Sequence, residues 1–157
     1  MKSRTPQLAL RLEADAPGAN ACWYAGADIA YLGTTLKLIL DTTCREPTRV
    51  GAELHLPLPP AAAPRQIRDA AESWLRDEAL RTFSSIIAKK SALAGRPSPA
   101  IALVFGKRSD WVRREDEALR CHWRLIEQSA AIIEQVLASA LAGMQPAPAC
   151  DDLFALA

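Results

Sequence analysis

The chain has 157 residues, of which 50% are hydrophobic and 24% charged, with a formal net charge of +1. That is the make-up of one ordinary globular domain, large enough to bury a single core. It gives no electrostatic reason to expect nucleic acid or an anionic membrane as the main partner.

Residues 1–22, which include Pro17-Gly18, carry little pattern beyond a strand expected at Gln7–Leu12, and read as an N-terminal extension. Residues 23–157 read as one domain. A β region opens it, with strands expected at Asp28–Leu32, Thr35–Leu40 and Glu53–Leu58, divided by turn signals at Gly33 and Gly51. His55, between Leu54 and Leu56, belongs to the opposite, solvent-facing side of its strand. Pro64 suits the first turn of a long helix ending near Leu93. Along it Ala71, Leu75, Ala79, Phe83 and Ile87 form an i, i+4 stripe, and Gly95, Pro97 and Pro99 stop it.

Ala100–Phe105 is an apolar run suited to a buried strand, and Ala118–Ile126 reads as a second strand beside it. The basic pairs Lys107-Arg108 and Arg113-Arg114 read as solvated loop or edge charges. Ser129 is the expected N-cap of a last long helix running to about Gly143, and a short turn or helix is expected at Asp151–Ala157. The expected core includes Leu38, Leu54, Trp74, Phe83, Leu103, Leu125, Ile133 and Val136. No run of ~20 apolar residues and no signal-peptide pattern occurs, so a cytoplasmic, reducing location without a membrane anchor is expected. The four cysteines, Cys22, Cys44, Cys121 and Cys150, form no C-x-x-C pair, and spacing leaves their disulfide state open.

Four passages, in order, carry a family resemblance. Trp23-Tyr24-Ala25-Gly26 with Ile29-Ala30-Tyr31-Leu32-Gly33 ends on a Y-L-G strand motif, and Ile67–Phe83 carries a tryptophan–alanine–phenylalanine helix pattern. Ser109-Asp110-Trp111 stands where the family has S-R-W-G-S-C, and His122-Trp123-Arg124-Leu125-Ile126 where it has N-W-R-L-I. From there to Ser139 the spacing is the family's spacing to its first histidine. The chain thus resembles the YgjP-like metallopeptidases, relatives of the SprT-like zincins. The resemblance implies an α+β, zincin-like fold. In it a mixed β-sheet packs against one long helix and a second helix that corresponds to the family's metal-binding helix.

The departures fall on the chemistry. An H-E-x-x-H motif sets two histidine ligands one helical turn apart, with a glutamate as general base. The corresponding residues are Ser139-Ala140-Leu141-Ala142-Gly143. The third ligand falls on Ala149, or on Cys150 if one residue is inserted. In the S-R-W-G-S-C segment the glycine becomes Val112 and the cysteine Arg114. No metal or other cofactor is therefore expected. Trp111 and His122 are the candidates for lining the former cleft.

Other chemistry is thinly supported. His122 with Cys150 is too few ligands for a catalytic zinc, and as a thiol–base pair it would have Asp151-Asp152 alongside, which raise a thiol pKa. The small residues of Ala138–Gly143 could leave a groove for a peptide or small ligand, or let another helix pack closely, as in a homo-oligomer. The leading expectation is a pseudoenzyme that acts as a binding or interaction module of unknown ligand, with a protein or peptide as a candidate partner; the alternative is a metal-dependent hydrolase or peptidase with a non-standard site. A nucleic-acid role, by fold kinship with SprT-like proteins alone, is the weakest reading.

Overall fold

A computed structural model describes residues 23–106 and 110–144. The expected strand at Gln7–Leu12, the boundary at residue 22 and the turn at Asp151–Ala157 lie outside the described residues. Seven strands follow in order: β1 (Asp28–Tyr31), β2 (Thr34–Leu40), β3 (Thr48–Val50), β4 (Glu53–Leu56), β5 (Ala100–Val104), β6 (Val112–Glu115) and β7 (Ala118–His122). Helix α1 (Pro64–Leu93) separates β4 from β5, and a 3-10 turn (Trp123–Glu127) joins β7 to helix α2 (Ala130–Ala142). The fold is α+β, but its strands form two sheets rather than the one mixed sheet expected. One has the order β1-β2-β4-β3 and the other β5-β7-β6. In each, one pair is parallel, β2 with β4 and β5 with β7.

Local chemistry accounts for the elements. The β1–β2 hairpin turns through Leu32 (φ 48°) and Gly33 (φ 77°), two positive-φ residues that match the right-handed twist of the strands. Helix α1 starts at Pro64, and the Gln66 side-chain carbonyl accepts the Ala63 N–H at 2.8 Å. Its buried face is Ile67, Ala71, Trp74, Leu75, Ala79, Phe83 and Ile87, the i, i+4 stripe with its two neighbours. Helix α2 has Ser129 as its N-cap, with the hydroxyl accepting from the Ile132 N–H at 3.4 Å. It buries Ile133, Leu137 and Leu141.

Of the eight expected core residues, Leu38, Leu54, Trp74, Phe83, Leu125 and Ile133 are buried, while Leu103 and Val136 are half-buried and pack against the core. The expected strand Ala118–Ile126 ends at His122. Trp123, Leu125 and Ile126 are buried from a 3-10 turn instead, which the His122 side chain caps by accepting the Arg124 N–H. Among the described residues no helix is long and apolar enough to cross a membrane.

Two of the motif passages meet in the core. The Tyr31 ring packs 5.3 Å from the Trp74 indole, and its hydroxyl donates to Glu78 at 2.9 Å. The Leu32 and Gly33 N–H groups donate to the carbonyls of Ile126 (2.8 Å) and Glu127 (3.1 Å). Gly33 also comes so close to the α2 cap that a Cβ there would lie 2.9 Å from the Ser129 Cα. The Y-L-G turn therefore sets the position of α2, the helix on which the expected site lies.

Candidate functional site

Helix α2 has a 3.6-residue period, so Ser139 and Gly143 fall one turn apart on a common face. Ser139 is exposed, Ala140 is half-buried against the core, and Gly143 is exposed at the helix C-cap with φ −80°. Strand β6 runs beside this end. Its register pairs Val112 with Cys121 and Arg114 with Leu119. Facing residues of an antiparallel pair share a sheet face. Leu119 and Cys121 are fully buried, so Val112 and Arg114 project toward the interior side of this sheet.

Arg114 therefore reaches α2. A Cβ placed on Gly143 would lie 1.4 Å from Arg114 Nη1 and 2.7 Å from its Cζ. The guanidinium rests against the bare Cα where the resemblance puts the second histidine. Arg114 is thus more than the solvated charge expected from the sequence. A second guanidinium holds the same helix end: Arg96 Nη1 donates to the Leu141 carbonyl at 2.9 Å and to that of Met144 at 3.2 Å. Cations suit this end, where unpaired carbonyls carry the negative pole of the helix dipole.

The two residues expected to line the cleft do come together. His122 is buried, and the Trp111 ring meets it edge-on at 6.4 Å while Trp123 stacks on it at 6.5 Å. Both imidazole nitrogens are in use. Nδ1 accepts the Arg124 N–H at 3.2 Å, so Nε2 carries the proton and donates to the Gly106 carbonyl at 3.0 Å. His122 in this state offers no lone pair to a metal and no base to a thiol. Cys121, next to it, is buried, and desolvation pushes its thiol up to about 12, out of reach as a nucleophile at neutral pH. Ala149 and Cys150 lie outside the described residues.

A zinc ion needs three protein ligands to do hydrolysis. At the described positions the donors are one hydroxyl, a bare glycine and a repelling guanidinium, which do not fit the group. Among the described residues no three histidine, cysteine or acidic side chains are placed to hold a metal.

One cluster escaped the sequence reading. His55 sits on the outer face of its sheet, as alternation requires, yet its side chain is only 21% exposed. Nδ1 lies 3.1 Å from Asp41 Oδ2 and Nε2 3.0 Å from Glu53 Oε2. The hydrogen bonds to Asp41 and then Glu53 raise the His55 pKa. Those from Thr43 and then His55 hold Asp41 below its ordinary value. The carboxylates flank opposite nitrogens, so they favour the imidazolium form and do not converge on one ion. Glu53 and His55, two apart on one strand, were the available signal; Asp41 comes from the parallel β2–β4 pairing.

A sequence profile of the YgjP-like metallopeptidase domain matches residues 7–139. The chain belongs to the YgjP-like family. The match begins within the stretch read as an N-terminal extension, and it ends at Ser139, the position expected from the resemblance to correspond to the first histidine ligand. Comparison with curated proteins and with solved structures finds no match. In this YgjP-like domain the Y-L-G turn contacts both the α1 tryptophan and the segment that leads into α2.

Proposed function

We propose that this YgjP-like domain is non-catalytic and acts as a binding or interaction module on a metallopeptidase frame. The observation that carries the reading is the Arg114 guanidinium lying against Gly143. A positive charge at the second-ligand position opposes a divalent cation, and Ser139 and Ala140 supply neither the first imidazole nor the general base. The satisfied nitrogens of His122 support the same reading.

Elemental analysis of the purified chain, thermal unfolding with and without added zinc, and a cleavage assay on an unfolded protein substrate test it. A ligand that binds only the folded state at 100 times its dissociation constant stabilises by about 2.7 kcal/mol. The expected results are substoichiometric zinc, no zinc-induced shift and no metal-dependent cleavage. One tightly held zinc per chain, lost in His122→Ala or Cys150→Ala, would overturn the proposal. Rebuilding the motif is the complementary test. Ser139→His, Ala140→Glu and Gly143→His, with Ala149→His or Cys150→His, should bind zinc weakly, and only when Arg114→Ala clears the new side chain.

A further inference from the structure

A groove of about 630 Å³ runs between β3 and α1 and shares no lining residue with the α2 site. Glu46 and Arg49 lie on its strand side, and Trp74, Asp77, Glu78 and Arg81 on its helix side. Among the described residues strand β3 is the edge of the four-stranded sheet, and all three of its residues are exposed. Val50 and Glu53 flank a two-residue turn, so they form a pair that exchanges both backbone hydrogen bonds, and Thr48 with His55 forms the next. Arg49, opposite Leu54, falls between them, and its N–H and C=O point to the open edge.

The charges of the groove divide into used and unused. The Arg49 guanidinium lies over the Tyr31 ring at 5.2 Å and donates through Nε to the Gly51 carbonyl at 3.1 Å. Arg81 pairs with Glu78, which also accepts the Tyr31 hydroxyl. The carboxylates of Glu46 and Asp77, one on each wall, have no partner among the described residues. Arg49 is held by a carbonyl and a ring but has no carboxylate partner among the described residues. The groove charges without a counter-ion are therefore Arg49, Glu46 and Asp77, negative in sum, and beside them lies an edge strand able to pair with an extended backbone.

We propose that the groove binds an extended peptide segment by strand addition to β3, with an arginine or lysine side chain seated between Glu46 and Asp77. Backbone pairing at Arg49 gives the register, and the two carboxylates give the preference for a basic residue. The site is independent of the former metal position and stands whether or not zinc binds there.

The probe is a fluorescein-labelled heptapeptide of alternating threonine and valine with a central arginine, titrated with the full chain and read by anisotropy. The expected dissociation constant is about 100 µM or below, with at least about tenfold weaker binding when the central residue is glutamate. Glu46→Lys with Asp77→Lys should weaken the arginine probe by a similar factor. Arg49→Pro removes only the outward N–H from the ladder and should abolish binding, whereas Arg49→Ala keeps the backbone donor and should retain it. Far-UV circular dichroism checks each variant. If Arg49→Pro does not fold, a probe N-methylated at its central amide makes the same comparison with the unaltered chain, and should not bind.

No saturable binding below about 1 mM overturns the proposal. So does binding that ignores the charge reversal or the N-methyl group. Binding seen only after deletion of residues 1–22 would assign the groove to the chain's own N-terminal segment. A dimer in sedimentation that Arg49→Pro dissociates would assign the edge to a second copy. Either result also overturns it.

Discussion

Gly143 and Arg114 should be coupled, and the size of the coupling can be worked out in advance. Gly143 has ordinary right-handed helical geometry, with φ −80° and ψ −8°. Replacing it by alanine should stabilise by about 0.4–1 kcal/mol, because the unfolded chain loses freedom. Yet the new Cβ would fall 1.4 Å from Arg114 Nη1, so the guanidinium must swing away. It then gives up its favourable position at the helix C-terminus, worth about 0.3–1 kcal/mol. In the natural chain the two effects nearly cancel. In an Arg114→Ala background only the gain remains. A double-mutant cycle by chemical denaturation should therefore show a coupling of about 0.3–1 kcal/mol. In thermal melts Gly143→Ala should raise Tm by about 1–4 °C only when Arg114 is absent. Effects that add within about 0.3 kcal/mol would refute the seating of Arg114 on Gly143, and with it the observation that carries the functional proposal.

Two further outcomes follow from the core and the sheet face. Trp74 is 8% exposed and packs on Tyr31, so Trp74→Ala should cost about 3–5 kcal/mol; a thermal shift near zero would show that α1 buries another face. His55 has a folded-state pKa raised above its ordinary 6.5 by Asp41 and Glu53. Its contribution is then fully present below about pH 6.5 and disappears as the pH rises through the folded value. The Tm difference between the natural chain and His55→Gln should therefore shrink from pH 6 toward alkaline pH, and parallel Tm profiles would exclude this effect of the two carboxylates.

What the sequence revealed, and what it hid, divides along local and non-local lines. Pro64, the prolines after Gly95 and the Ser129 cap are local signals, and both long helices lie where those signals put them. Strand β3 is three residues long and wholly exposed, so no alternation marks it. In β6 the Arg113-Arg114 pair masks a strand. Trp123, Leu125 and Ile126 look like a continued strand because a short apolar run does not distinguish a strand from a buried turn. The division into two sheets depends on which distant strands pair, which no local pattern encodes.

The site divides in the same way. That Ser139, Ala140 and Gly143 offer no imidazole and no carboxylate is visible in the letters. The seat of Arg114 depends on the β6–β7 register, and the use of both His122 nitrogens depends on where Gly106 and Arg124 fall. The Asp41–His55 contact likewise needs the parallel pairing of β2 with β4.

Helix α2 is fixed by contacts at its start, along its length and at its end. At its start, the Y-L-G turn donates two backbone hydrogen bonds to Ile126 and Glu127 and brings Gly33 against the Ser129 cap. Along its length Ile133, Leu137 and Leu141 are buried, a contribution of roughly 5–9 kcal/mol as an upper figure. At its end Arg96 ties the last carbonyls to the segment that follows α1. None of these contacts involves Ser139, Ala140 or Gly143. Ser139 and Gly143 are exposed and stand apart from the side chains that hold the helix, whereas Ala140 is half-buried against the core and belongs to its packing. Arg114 lies beside Gly143 on the exposed side of this helix end, while Ala140 lies on the side that packs against the core.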